Sequence, residues 1–288
     1  MIEITRQHEY LVGIDSDGCA FDTMELKHKE CFIPNHINHW DLQGVSKYAR
    51  EVAEFVNLYS KSRGINRFPA LVEVLERLQQ RPEVKARGVK IDIPQSLLDW
   101  IERETKLGNP ALEKEVAATN DAGLSRALRW SQGVNESVAN MVRGVPPFPF
   151  VRESIQRLVE QADVIVVSAT PQEALQREWD EHDLAQYVRA ICGQEVGTKA
   201  ESLGAASQYP AGNTLMIGDA PGDYKAAVAN QALFFPVNPG AEEASWKRFY
   251  EEGIERFFSG KFAGEYQQAL LDEFDSYLPE KPPWPVEE

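Results

Sequence analysis

The chain has 288 residues, enough for about two domains that each bury their own core. Hydrophobic residues at 43% and charged residues at 26% are an ordinary globular balance, and no window reaches the ~18–20 apolar residues of a membrane span. A formal net charge of −15 works against gripping a nucleic-acid backbone, which takes clustered Lys and Arg, but it does not exclude a small anionic substrate held in its own cleft.

The opening MIEITRQHEY lacks the basic start and apolar run of a secretory signal. Cys19, Cys31 and Cys192 are odd in number and widely spaced, which argues for reduced thiols rather than a disulfide framework. A cytoplasmic setting is the expectation.

In chain order, the first strand-like run is Tyr10-Leu-Val-Gly-Ile14, which ends at Asp15. Later runs are Asp163–Val167 ending at Ser168, Ala190–Cys192, Thr214–Ile217 ending at Gly218-Asp219, and Ala232–Val237. They are short, β-branched and apolar on both faces, as in a parallel sheet covered on each side. Amphipathic stretches at 150–161, 171–187 and 199–208 alternate with them, the pattern of βαβ units. Thr170-Pro-Gln-Glu173 and Thr198-Lys-Ala-Glu201 both read as capping boxes that start helices just after strands. Helix N-termini at the carboxyl edge of such a sheet favour anions.

Residues 22–146 differ in texture. Helical periodicity at 45–60, 70–81, 95–107 and 110–142 predicts a helical domain inserted after the first strand. Gly144-Val-Pro-Pro-Phe-Pro149 reads as the return to the sheet. The expected division is a core at 1–22 and 147–240, an insert at 23–146, and a helical extension with a tail at 241–288. From Pro279 the tail is Pro-rich and acidic, the composition of a frayed end.

Asp15-Ser-Asp17-Gly18 alone is a common solvated-loop pattern, and Gly218-Asp219-Ala-Pro-Gly-Asp223 alone is a turn whose acids cap a helix. An EF-hand loop is excluded for the first, because Gly stands fourth rather than sixth. Ser168 and Lys199 are unremarkable singly. Together, the four motifs bring carboxylates, a hydroxyl and an ammonium to one edge of one sheet. Clustered carboxylates and a phosphate coexist around a hard cation such as Mg²⁺. An Asp nucleophile can take a phosphoryl group, a second Asp can move protons, and Ser, Lys and backbone N–H groups can hold the transferring oxygens.

Asp15-x-Asp17-Gly18, Ser168, Lys199 and Gly218-Asp219-x3-Asp223, in that order, resemble the four motifs of the haloacid dehalogenase superfamily. The resemblance implies an α/β fold: a Rossmann-like, three-layer core with a parallel sheet and an inserted α-helical cap. It implies a Mg²⁺-dependent phosphatase acting on a small phosphorylated metabolite through an aspartyl-phosphate. Asp15 would be the nucleophile and Asp17 the general acid and base. Asp15, Asp17 (through its carbonyl), Asp219 and Asp223 would serve the metal, and Ser168, Ala169 and Lys199 the phosphate. Asp17 itself favours phosphate esters, since dehalogenase and phosphonatase members lack a carboxylate there.

Arg63-Gly-Ile-Asn66-Arg67-x3-Leu71-x2-Val74-Leu75 is similar to the cap loop and helix of the beta-phosphoglucomutase-like subgroup. The similarity makes Arg63, Asn66 and Arg67 candidates for substrate specificity, with Arg67 at the substrate's far end; a solvated basic turn opening a helix is the other reading. The mutases have a His where this chain has Lys27, and 82–142 exceeds a usual cap. A sugar phosphomutase is the alternative activity, and an idle binding protein on the same fold is a third reading. His28, Cys31, His36 and His39 carry a zinc-like inventory at a spacing unlike zinc fingers, so a polar loop is the competing reading.

Overall fold

The structure is a computed structural model that describes residues 4–285. Five strands form one parallel sheet: β1 (Tyr10–Ile14), β2 (Ala162–Val167), β3 (Ala190–Cys192), β4 (Thr214–Gly218) and β5 (Leu233–Pro236), in the order β3-β2-β1-β4-β5. β1 is central and aligns Ile14 with Val166 of β2 and with Ile217 of β4. The chain runs outward through β2 and β3, then returns to the other side of β1 for β4. That reversal opens a crevice beyond the carboxyl ends of β1 and β4, where open α/β sheets bind ligands.

Both sheet faces are buried, as the strands' unbroken apolar composition requires. Val12, Ile14, Val164, Val166, Leu215, Ile217 and Phe235 feed one layer, and Leu11, Ile165, Val167, Met216 and Phe234 feed the other. Successive residues of one strand therefore serve opposite layers. The first layer is closed by the helix Val151–Leu158 and by Trp179, Trp246, Phe249 and Phe257; the second is closed by Leu203, Ala227, Phe274 and Leu278. This is a three-layer, Rossmann-like α/β core.

The chain divides into two compact units. One comprises residues up to Met24 with Arg143–Leu278, and the other comprises Glu25–Val142 with the segment from Pro279. The helices after Ala241 thus belong to the sheet's own packing. Helix Glu265–Tyr277 buries Leu270 in one layer and Phe274 in the other.

The regular structure of the second unit is helical among the described residues. Its main helices are Ser46–Leu58, Arg67–Gln80, Gln95–Arg103, Asn109–Thr119 and Ala122–Met141, packed around Phe68, Trp100 and Trp130. Fully burying an aromatic or Leu side chain stabilises by roughly 1.5–3 kcal/mol, so this cluster gives the insert a core of its own. The stretch expected as one helix over 110–142 is two. Asn120 adopts a left-handed conformation (φ 54°) and Asp121 caps the second helix by accepting from the Leu124 N–H at 2.8 Å.

The tail departs from the frayed end that its composition suggests. Trp284 packs edge-on to Phe55 (centroids 5.4 Å) and lies under the Arg81 guanidinium at 4.6 Å. Residues 286–288 lie outside the described residues. No helix among the described residues is long and apolar enough to cross a membrane.

Candidate active site

Asp15 is the first residue beyond β1. Its N–H donates to the Ile217 carbonyl at 3.0 Å, which ties the loop to β4, and its side chain is buried. The Ser16 N–H donates to Asp15 Oδ1 at 2.8 Å. Gly18, at φ 74°, takes the left-handed turn that a side chain would strain.

β4 delivers the partner carboxylates. Gly218 ends the strand, and a Cβ there would sit 2.4 Å from the Cβ of Asp223. Glycine therefore lets the start of the next helix fold back against the strand. Asp223 is fully buried, and its Oδ2 accepts from the Ala220 N–H at 3.1 Å. Asp15, Asp219 and Asp223 each offer an oxygen within 4.8 Å of the others.

The cation comes from the next crossover. Thr198 and Glu201 form the expected capping box, with Glu201 N–H donating to the Thr198 hydroxyl and Thr198 N–H to the Glu201 carboxylate at 2.7 Å. The box fixes the helix start that carries Lys199. Lys199 Nζ donates to Asp15 Oδ2 and to Asp223 Oδ1, each at 2.6 Å.

Burial pushes the Asp15 carboxyl up to about 6; Lys199 opposes the shift and Asp219 and Asp17 add to it. Asp223 rises to about 6 for the same first reason, with Lys199 again opposing. Burial works against the charge on Lys199, yet the facing Asp15 and Asp223 carboxylates outweigh it and push its pKa up. Lys199 thus bridges two of the three carboxylates, Asp15 and Asp223.

Asp17 is held through both oxygens. Thr23 Oγ1 donates to Oδ1 at 2.5 Å and Thr170 Oγ1 to Oδ2 at 2.6 Å. Ser168 follows β2, its N–H donating to the Cys192 carbonyl at 3.0 Å and its Oγ accepting from the Thr170 N–H at 3.3 Å. The neighbouring Ala169 is exposed.

Asp15, Asp17, Ser168, Lys199, Asp219 and Asp223 thus share the carboxyl edge of one sheet. Thr23 and Thr170 are additions that the sequence did not offer. Thr170 was expected to cap the helix that follows it, but the helix begins at Gln172 and the hydroxyl goes to Asp17 instead.

The other candidates lie in the helical unit. Arg63 is buried and donates to the Leu58 carbonyl at 2.8 Å, closing the end of the helix Ser46–Leu58. Asn66 is a helix cap, accepting from the Phe68 N–H at 3.0 Å. Arg67 donates to Ser131 Oγ at 3.0 Å and to Asn135 Oδ1 at 2.6 Å, with Phe32 beneath it at 5.3 Å. Among the described residues it forms no ion pair, and burial lowers its pKa. His28, Cys31, His36 and His39 do not gather: among the described residues the Asp15, Asp219 and Asp223 group is the one with metal-ligand proximity. His36 stacks on Trp130 instead, with ring centroids 5.2 Å apart.

Solved structures similar to this chain include hydrolases of the haloacid dehalogenase type. A phosphoglycolate phosphatase candidate from Lactobacillus delbrueckii subsp. bulgaricus is 15% identical, over 87% of this chain and 98% of that one, with a TM-score of 0.49. A haloacid dehalogenase-like hydrolase from Xanthomonas campestris is 11% identical, over 91% and 98%, with a TM-score of 0.48. Another from Streptococcus pneumoniae is 13% identical, over 83% and 90%, with a TM-score of 0.42. No protein-family model and no curated protein matches the sequence.

Proposed function

We propose that this chain is a phosphatase of the haloacid dehalogenase superfamily, hydrolysing a small phosphorylated metabolite through an aspartyl-phosphate on Asp15. The observation that carries the reading is the buried cluster itself: Lys199 between Asp15 and Asp223, with Asp219 completing three carboxylates within 4.8 Å.

The donor set fits Mg²⁺. It consists of oxygens, and it is crowded enough that burial and mutual repulsion raise the carboxyl pKa values of Asp15 and Asp223. Asp15, Asp219 and the carbonyl of Asp17 would hold the ion, with Asp223 supporting them. When bound, the ion supplies positive charge against the substrate phosphate and the carboxylates.

In the first step a carboxylate oxygen of Asp15 attacks phosphorus and the bond to the ester oxygen breaks. Asp17 gives its proton to that departing oxygen. In the second step Asp17 takes a proton from a water that attacks the same phosphorus, which frees Asp15 and inorganic phosphate. Lys199, Ser168 and the N–H of Ala169 stabilise the phosphoryl oxygens. Asp17 bears the proton transfers because two hydroxyls already orient it. Arg67 stays a candidate for substrate specificity, a forked cation that among the described residues meets Ser131 and Asn135 and no carboxylate.

A phosphate-release screen with Mg²⁺ over sugar phosphates, phosphoglycolate, nucleotides and pyrophosphate tests the reading. At least one ester should be hydrolysed. Asp15→Asn should be inert while keeping the wild-type circular dichroism spectrum, because an amide is a poor nucleophile. Turnover by Asp15→Asn, or by wild type after exhaustive chelation, would remove the covalent metal-dependent mechanism.

A further inference from the structure

We propose that Thr170 is a positioning residue that fixes the orientation of the Asp17 carboxyl group, a role that rests on the phosphatase reading above. Thr170-Pro-Gln-Glu173 has the local chemistry of a helix cap, and a threonine in that setting ordinarily bonds the backbone of its own helix. Here Thr170 Oγ1 donates to Asp17 Oδ2 at 2.6 Å, across 153 residues of sequence.

The cap that Thr170 gives up is supplied from elsewhere. The Gln172 N–H donates to Glu195 Oε2 at 2.9 Å, and Gln172 Oε1 accepts from the Gly193 N–H at 2.9 Å. The Gln194 N–H donates to the Thr170 carbonyl at 3.0 Å. A Cβ on Gly193 would lie 2.6 Å from the Gln172 nitrogen and 2.8 Å from the Thr170 oxygen, so the loop beyond β3 approaches as closely as it does because residue 193 has no side chain. The loop therefore clasps Thr170–Gln172 through backbone and side chain, leaving the Thr170 hydroxyl free to serve Asp17.

The same segment grips the preceding residue of the nucleophile loop. Ser16 Oγ donates to Glu178 Oε2 at 2.8 Å and accepts from Trp179 Nε1 at 2.9 Å, with Ser16 and Trp179 both wholly buried. Ser16 and Asp17 are thus each bonded to the stretch Thr170–Trp179, which acts as a splint along the loop. Thr23 and Thr170 together address the two oxygens of one carboxyl group, and a donor on each oxygen defines its plane. That plane sets the direction in which the Asp17 proton travels to the departing ester oxygen, as the phosphorus–oxygen bond breaks and leaves its electron pair on that oxygen. Small errors in such a direction are costly to proton transfer.

The test is Thr170→Val, which keeps the shape and removes the hydroxyl, beside Thr170→Ser, which keeps the hydroxyl. On an alkyl phosphate, whose leaving oxygen needs the proton, kcat of Thr170→Val should fall by roughly 10- to 100-fold, with KM within about twofold. On an activated aryl phosphate the loss should stay under about threefold, and Thr170→Ser should stay close to wild type on both. Equal losses on the two esters, or a Ser variant as impaired as the Val variant, would overturn the proposal. Crystal structures of wild type and Thr170→Val read the geometry without turnover: a rotated Asp17 carboxyl supports the proposal and an unchanged one overturns it. If wild type releases phosphate from neither ester, the phosphatase reading fails, and the crystal comparison still decides whether Thr170 orients Asp17.

Discussion

Lys199 Nζ lies 2.6 Å from Asp15 Oδ2, although 184 residues separate them in sequence, and the same nitrogen lies 2.6 Å from Asp223 Oδ1. The ammonium is the central counter-charge of a buried acidic cluster. Removing it takes the Lys199 charge away from both Asp15 and Asp223.

Lys199→Met should therefore lose both activity and stability. Losing one charge-stabilising donor to transferring oxygens typically costs ~10²–10³ in kcat. Breaking a buried pair by deleting one partner destabilises by roughly 3–5 kcal/mol. Mg²⁺ should raise the melting temperature of Lys199→Met more than that of wild type, because it offsets the same excess negative charge. Melts with and without Mg²⁺ check this, and equal shifts in the two proteins would contradict it.

Arg67→Ala separates recognition from scaffolding. Among the described residues its guanidinium meets Ser131 and Asn135 and no carboxylate. If it reads a second anion on the substrate, kcat/KM for the screened ester should fall by roughly 10- to 100-fold, the scale of ~1.5–3 kcal/mol for a charged hydrogen bond. An aryl phosphate without that anion should be hydrolysed at nearly the wild-type rate. Parallel losses on both esters, with a lowered melting temperature, would make Arg67 a fastening of the insert and nothing more.

Trp284 gives the tail a measurable role. Its ring lies against Phe55 and under Arg81, whose guanidinium also lies over the Tyr48 ring at 4.9 Å. Trp284→Ala should destabilise the helical unit by ~1–2 kcal/mol, combining lost aromatic burial with a lost cation–π contact. Urea unfolding followed by tryptophan fluorescence would detect it, and an unchanged midpoint would show that the tail is dispensable to the insert.

His36 makes the insert acid-sensitive. Burial pushes its pKa from the ordinary 6.5 down to about 3, and its Nδ1 has no hydrogen-bond partner among the described residues. Below pH 6.5 the unfolded chain binds a proton that the folded chain refuses, so this contribution to stability is lost as pH falls from 6.5 towards 3. The slope is roughly 1.4 kcal/mol per pH unit for one such group. His36→Phe should keep the stack on Trp130 and flatten that part of the profile. Denaturant midpoints at pH 7, 6 and 5 compare the two, and identical acid slopes would exclude His36.

Much of the candidate site is legible in the sequence because its parts are short-range. Asp15, Ser168 and Asp219 each follow a run of residues apolar on both faces, and such runs form buried parallel strands whose ends must be polar. Thr198 and Glu201 sit three apart, within reach of each other in one helical turn, so the box that sets Lys199 in place can be read from the local sequence. A long-range competitor is what makes Thr170 unreadable: its hydroxyl has a nearby backbone to cap and a distant carboxylate to hold, and the carboxylate wins. The spacing of His28, Cys31, His36 and His39 says nothing of Trp130, which takes His36 as a stacking partner.

The sequence by itself determined the alternation of strands and helices, the helical nature of the insert and the identity of the acidic motifs, because periodicity and turn chemistry act over a few residues. Tertiary structure alone decided where the aromatic residues after Ala241 go, since apolar spacing marks a buried face without naming what buries it; Trp246 and Phe274 close opposite layers of the sheet. It also decided that 110–142 breaks at Asn120. It brought Lys199 between two carboxylates from different strand ends and gave Asp17 a hydroxyl partner on each of its two oxygens. Strand order and register set those distances, and neither is encoded in any single stretch of the chain.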